Sequence, residues 1–150
     1  MVTFQQESLY EIIDEVDELL QLHYLELTLN RDKIKLEPMW ERYSALEFAG
    51  AFVVYTARSN GRLIGYSAFF LNNHLHYADL KTAINDVLYI HPDFRVGRTG
   101  IGMIRFSERE LVKQLGSFKL VWHAKLSNDL ADILVRMGYA QEEVMLAKHF

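Results

Sequence analysis

A run rich in glycine and arginine, HPDFRVGRTGIG, extends from His91 to Gly102. It follows the apolar stretch Val87-Leu88-Tyr89-Ile90 and leads into a helix-compatible segment. A strand, a tight turn and a helix start, in that order, offer unpaired backbone N–H groups to an anion. Glycine lets the anion come close to the backbone, and Arg95 and Arg98 can add charge-assisted hydrogen bonds. The segment reads as a pyrophosphate cradle and the chain as a binder of a phosphate-bearing cofactor.

Other residues able to do chemistry are more scattered. His74, His76 and Tyr77 fall in a polar stretch, Asn72 to Leu80, that reads as a loop. The alternating histidines have no further set of metal ligands near them, so no metal site is expected. His23 and Glu26 are three apart and share a helix face, with His23 beside the apolar stripe. One reading of that pair is a buried histidine hydrogen-bonded to the carboxylate. Trp40, Tyr43, Trp122 and Phe69-Phe70 read as core or pocket wall. The acidic side of the run Glu7 to Glu18 reads as a solvated face, or as an attraction for a cationic acceptor.

Something must hold these residues in place. The chain has 150 residues, half of them hydrophobic, with no linker, repeat or low-complexity tract, which suits a single domain over 1–150. There are 16 basic against 20 acidic residues, which argues against a broad basic surface for duplex DNA. Cysteine is absent, so disulfides, thiolate metal sites and cysteine nucleophiles are excluded. The start MVTFQQESLYE lacks the features of a signal peptide and no apolar run reaches membrane-spanning length, so no membrane partner and a cytoplasmic location are expected.

Ser8 and Glu11 fit a capping box ahead of an amphipathic helix from about Leu9 to Leu29. A second helix spans Met39 to Phe48. Val2 to Gln6, Phe52 to Ala57, Leu63 to Leu71, Thr82 to Ile90, Lys119 to Ala124 and Val144 to Lys148 read as strands. Ser59-Asn60-Gly61 marks a hairpin turn between the second and third of them. Helices are expected from Gly100 or Ile101 to Leu115 and from Asp129 to Met137, each stopped by a glycine. This is an α/β (α+β) order around one mixed sheet.

Three pieces carry a family resemblance: GRLIGYSAFF (Gly61 to Phe70), VLYIHPDFRVGRTGIG (Val87 to Gly102) and LSNDLADILVRMGYAQ (Leu126 to Gln141). Together they resemble the GCN5-related N-acetyltransferases, the GNAT superfamily. The helix bearing His23 and Glu26 and the stretch HLHYAD, His74 to Asp79, are especially similar to bacteriophage-encoded members, whose setting would be the host cytoplasm. The resemblance implies a single mixed, mostly antiparallel sheet flanked by helices, and acetyl-CoA as acyl donor in a V-shaped opening of that sheet. Backbone at Leu88, Tyr89 and Ile90 would pair with the pantetheine arm. The segment Arg95, Val96, Gly97, Arg98, Thr99, Gly100, Ile101 and Gly102 would hold the pyrophosphate, and Asn128 would touch the cofactor.

The resemblance also implies a base, for which Asp86 is the one carboxylate on the signature strand, with a strand-end or salt-bridge role as its other reading. His76 and Tyr77 are further candidates for acid, base or substrate contact, and His23 and Glu26 for the acceptor wall. Leu134 stands where the family often has an acid tyrosine, and Gly97 where it often has Arg or Gln. The implied acceptor is a primary amine on a small molecule, a protein or a modified nucleobase, the last leaving nucleic acid as a partner. Relatives often form homodimers. The alternative is a catalytically silent module of the same fold that binds CoA or a host protein, as in anti-defence.

Overall fold

Leu9, Ile12, Val16 and Leu19 recur on one side of a helix, and all four are buried along α1, Leu9–Leu27. The expected capping box does not close its first turn. Leu9 N–H donates to both carboxylate oxygens of Glu47, at 2.8 and 3.0 Å, and Ser8 Oγ donates to Glu47 Oε2 at 3.0 Å. Glu47 lies in α2, Trp40–Phe48, so a carboxylate from a second helix satisfies the orphan amide and faces the positive end of the first. Residues 28–39 link the two helices, tied back by Tyr24, whose hydroxyl donates to Ile34 O at 2.5 Å.

The computed structural model describes residues 1–150. Its sheet has five strands in the order β1 (Val2–Glu7), β2 (Phe52–Ser59), β3 (Arg62–His74), β4 (Tyr77–Ile90) and β5 (Lys119–Val121). The first four are antiparallel neighbours, while β5 runs parallel to β4. A parallel partner needs a crossover, supplied here by a 3-10 turn at Pro92–Phe94 and helix α3, Thr99–Leu115. A short helix, α4, follows at Leu130–Arg136.

The β2–β3 hairpin turns on Asn60 and Gly61 with φ of 51° and 82°, the left-handed pair its sequence announced. Strands β2 and β3 are buried on both faces. One face packs on α1 and α2 around Leu9, Val16, Phe52, Val54 and Tyr66. The other packs around Tyr55, Ile64 and Phe69 with Met103 and Leu111 of α3. This is the mixed, mostly antiparallel sheet with flanking helices that the sequence implied.

Three boundaries are corrected. The stretch 72–80 is not a loop: pairing continues through Asn72↔Thr82 and Asn73↔Lys81, and only Leu75 and His76 turn the chain. Backbone ladders need no apolar side chains, so this exposed extension had no hydrophobic alternation to betray it. Strand β5 ends at Val121 rather than Ala124. Val144 to Lys148 forms no strand, its apolar side chains being exposed and its backbone unpaired; strand propensity without a cross-strand neighbour does not hold a strand.

Candidate active site

The pairing of β3 with β4 slips by one residue in the middle of the sheet. Ala68 faces Val87 and Phe69 faces Asn85, which leaves Asp86 as the extra residue of a β-bulge. Asn85, only 2% exposed, fastens it: its Nδ2 donates to Ala68 O at 3.2 Å and to Val87 O at 2.9 Å. Beside the bulge the sheet opens. Strands β4 and β5 are paired only from Thr82↔Lys119 to Ile84↔Val121. From Asn85 to Ile90 the outer rim of β4 has no strand partner; His123 Nδ1 lies 3.2 Å from Asn85 O, and Arg95 Nε donates to Ile90 O at 2.8 Å.

Asp86 and Val87 both line a cavity of about 260 Å³ roofed by α1, α2 and the 28–39 linker. Its walls are mainly apolar, including Leu20, Leu36, Pro38, Trp40 and Phe52. Tyr43 Oη donates to Asp86 Oδ2 at 3.0 Å. Burial holds the Asp86 carboxyl above the usual aspartate range, opposed by that hydrogen bond and by His123. Burial and the adjacent carboxylate push the Tyr43 hydroxyl well up, so it stays a donor. A carboxylate in such surroundings is a stronger base than one in water.

At the far end of β4 the backbone curls into the turn ahead of α3. Gly97 has φ of 66°, a left-handed conformation that suits glycine. Gly102 N–H is the first of the helix to donate, to Arg98 O at 2.7 Å. The consecutive N–H groups of Val96, Gly97, Arg98, Thr99, Gly100 and Ile101 find no acceptor in the protein. A side chain added at Gly100 would point into open space, and Arg98 is exposed without an ion-pair partner. A consecutive row of free donors beside one free guanidinium is the kind of arrangement that can hold an anion such as a diphosphate.

Arg95 is not part of that row. Its guanidinium grips Glu26 of α1 with both nitrogens, Nη1 to Oε1 at 2.5 Å and Nη2 to Oε2 at 2.7 Å. Glu26 also accepts from Tyr89 Oη at 3.1 Å and is held below the usual carboxylate range, chiefly by Arg95. Arg95 and Glu26, expected at the cofactor and at the acceptor wall, here form one tie between α1 and the end of β4. His23 is enclosed beside them, Nδ1 2.8 Å from Tyr66 Oη and its ring stacked on Tyr89 at 4.7 Å. Burial lowers its pKa to about 4.

His76 and Tyr77 lie at the exposed tip of the β3–β4 hairpin. At about 3.3 Å per residue, Tyr77 is roughly 30 Å along the strand from Asp86, so the structure does not bring them together. Asn128 Oδ1 accepts from Leu130 N–H at 3.1 Å, at the start of α4. Leu134 is buried, and Tyr139 Oη donates to Glu108 at 2.6 Å, tying the segment after α4 to α3. The sequence had marked Tyr43 only as core or wall and had passed over Asn85 and Tyr66. A lone asparagine inside the apolar strand TAINDVLYI was the one available signal for the bulge.

The model of the acetyltransferase (GNAT) family matches residues 13–139. No curated protein matches the chain significantly in sequence. Among solved structures it is similar to ribosomal-protein-alanine N-acetyltransferase from Brucella melitensis biovar Abortus 2308, with 20% identity over 100% of this chain and 99% of that one and a TM-score of 0.73. An aminoglycoside acetyltransferase from an uncultured soil metagenomic sample, in complex with trehalose, has 13% identity over 99% and 95%, at 0.76. A predicted acetyltransferase with acetyl-CoA from Clostridium acetobutylicum has 15% identity over 99% and 96%, at 0.72. At these identities the likeness is one of fold.

Proposed function

The chain belongs to the acetyltransferase (GNAT) family, and from that premise we propose that it moves an acetyl group from acetyl-CoA to a primary amine. One observation carries the reading: the open rim of β4 has a half-buried carboxylate in an apolar cavity at one end and a row of free amides at the other. The amides from Val96 to Ile101, with Arg98, would hold the diphosphate. Backbone at Leu88 and Tyr89 would pair with the pantetheine arm as an added strand does. Bound there, acetyl-CoA supplies an activated acyl carbon.

Asp86 takes the proton that an ammonium must shed before its nitrogen can attack. Tyr43 fixes the carboxylate by donating to Oδ2 and leaves Oδ1 without a protein hydrogen-bond partner. The new bond is carbon to nitrogen and the broken one is carbon to sulfur. Leu134 has no proton to give, so the sulfur departs as thiolate; the second proton that the nitrogen sheds after attack goes to solvent and the thiolate takes one up from solvent, which thiols of ordinary acidity tolerate.

The test uses two variants and two readouts. Asp86→Asn is expected to lower turnover by about 10²–10⁴-fold with CoA affinity unchanged. Gly100→Glu, placing a carboxylate where the free amides converge, is expected to abolish CoA binding in a protein that still unfolds cooperatively. CoA affinity is read by calorimetry and turnover by thiol release with a panel of amines. Unaltered affinity in Gly100→Glu would defeat the cradle. Tight CoA binding with no transfer to any amine would favour a silent binding module of the same fold.

A further inference from the structure

We propose that the acceptor is a small monoamine carried on an apolar body, of the arylalkylamine or alkylamine class. The proposal rests on the acetyltransferase reading and sharpens it.

Charge comes first. Among the residues lining the cavity, Asp86 is the one carboxylate set in its interior, while Glu37 and Lys35 are exposed at the rim. An ammonium taken out of water needs a counter-charge of its own. One interior carboxylate matches one amine. The further ammonium groups of a polycation would meet apolar walls and the like charge of Lys35.

Hydrogen-bonding capacity points the same way. The interior hydroxyls belong to Tyr43 and Tyr66, and both are engaged, the first with Asp86 and the second with His23. A sugar-like acceptor would bury several hydroxyls with few partners, a costly arrangement. The walls instead offer aromatic and aliphatic surface, with the Tyr43 ring in contact with both Trp40 and Phe52. The cavity volume of about 260 Å³ is slightly below the range of roughly 300–1,000 Å³ usual for drug-sized ligands, which suits a compact body.

The experiment uses the intact chain with acetyl-CoA and measures kcat/KM by thiol release for 2-phenylethylamine, tryptamine, glucosamine, tobramycin and an alanine-led tetrapeptide. Binding of each amine is followed in parallel by indole fluorescence with CoA present. The apolar monoamines are expected to exceed glucosamine and tobramycin by about a hundredfold in kcat/KM, the scale set by burying polar groups without partners. Trp40→Ala is expected to raise KM for 2-phenylethylamine about tenfold with kcat little changed, since it removes wall rather than base. Leu36→Glu, a second carboxylate on the linker wall, is expected to shift preference towards 1,4-diaminobutane.

Faster turnover of glucosamine, tobramycin or the peptide would overturn the proposal while leaving the acetyltransferase reading intact. Binding of 2-phenylethylamine but not glucosamine, without thiol release from any amine, would uphold the cavity's selectivity and overturn the transfer reaction. Failure of the apolar amines to bind would sink the proposal outright.

Discussion

Asp86 combines two properties that oppose each other in water: it is a carboxylate, and it is half enclosed by apolar walls. Desolvation raises its pKa and the Tyr43 hydroxyl pulls it back. Since the proposed base works when ionised, the rate should rise with pH through an apparent pKa above that of an ordinary aspartate. Removing the hydroxyl in Tyr43→Phe takes away the hydrogen bond that lowers this pKa. The acid limb of kcat/KM against pH is therefore expected to move to higher pH, with the plateau reduced no more than about tenfold and CoA affinity unaffected. A limb that stays in place would mean that Tyr43 does not set the state of Asp86. His23 shows why residue type alone misleads. A histidine three residues from a glutamate looks like a reactive pair, yet the two groups turn to different partners, His23 to Tyr66 and Glu26 to Arg95.

At the scale of elements, the bulge in β4 is what brings Asp86 and Val87 together on the cavity wall. Asn85 secures it by answering two carbonyls that the slipped ladder leaves. Asn85→Ala would strand those carbonyls in a buried place, at about 1–3 kcal/mol for an unsatisfied buried group. A lower urea midpoint and reduced turnover are expected, with CoA affinity retained because the amides after Ile90 are untouched. A fall in CoA affinity alone would contradict this division of labour. The contrast between cradle and bulge also explains what was legible. The proposed cradle is local: strand, glycine turn and helix start are contiguous, so that order of elements after Ile90 could be read from the chain. The Tyr43–Asp86 contact joins residues 43 apart and depends on a one-residue slip, and neither fact has a periodic signature. The Arg95–Glu26 pair was invisible for the same reason, its two residues being 69 apart in the chain. The hairpin extension to His74 and Tyr77 escaped because it has no buried apolar face, and Val144 to Lys148 misled because it has strand-like residues without a neighbour.

For the whole molecule, acid should act through His23 before it acts through the carboxylates. Its pKa in the folded protein is about 4 against 6.5 for the free side chain, chiefly because of burial. As pH falls below 6.5 the unfolded chain takes up the proton first, so stability is lost between 6.5 and about 4 and is fully present above that window. The difference corresponds to about 3 kcal/mol. Glu7, Glu15 and Glu26, all held low by arginine, lose their contribution only at more acid pH, below their ordinary value of 4.5. In His23→Gln, which can still pair with Tyr66, the unfolding free energy is expected to be flatter between pH 6.5 and 4. An unchanged slope would place the acid sensitivity elsewhere. The carboxylate of Glu47, clasping the first amide of α1 from within α2, has a consequence for how such a protein diversifies. The two helices meet the strands as one plate, so residues 28–39 form a replaceable visor. A lineage or an engineer could recut that visor to admit a different guest while the proton-taking machinery underneath stays as it is.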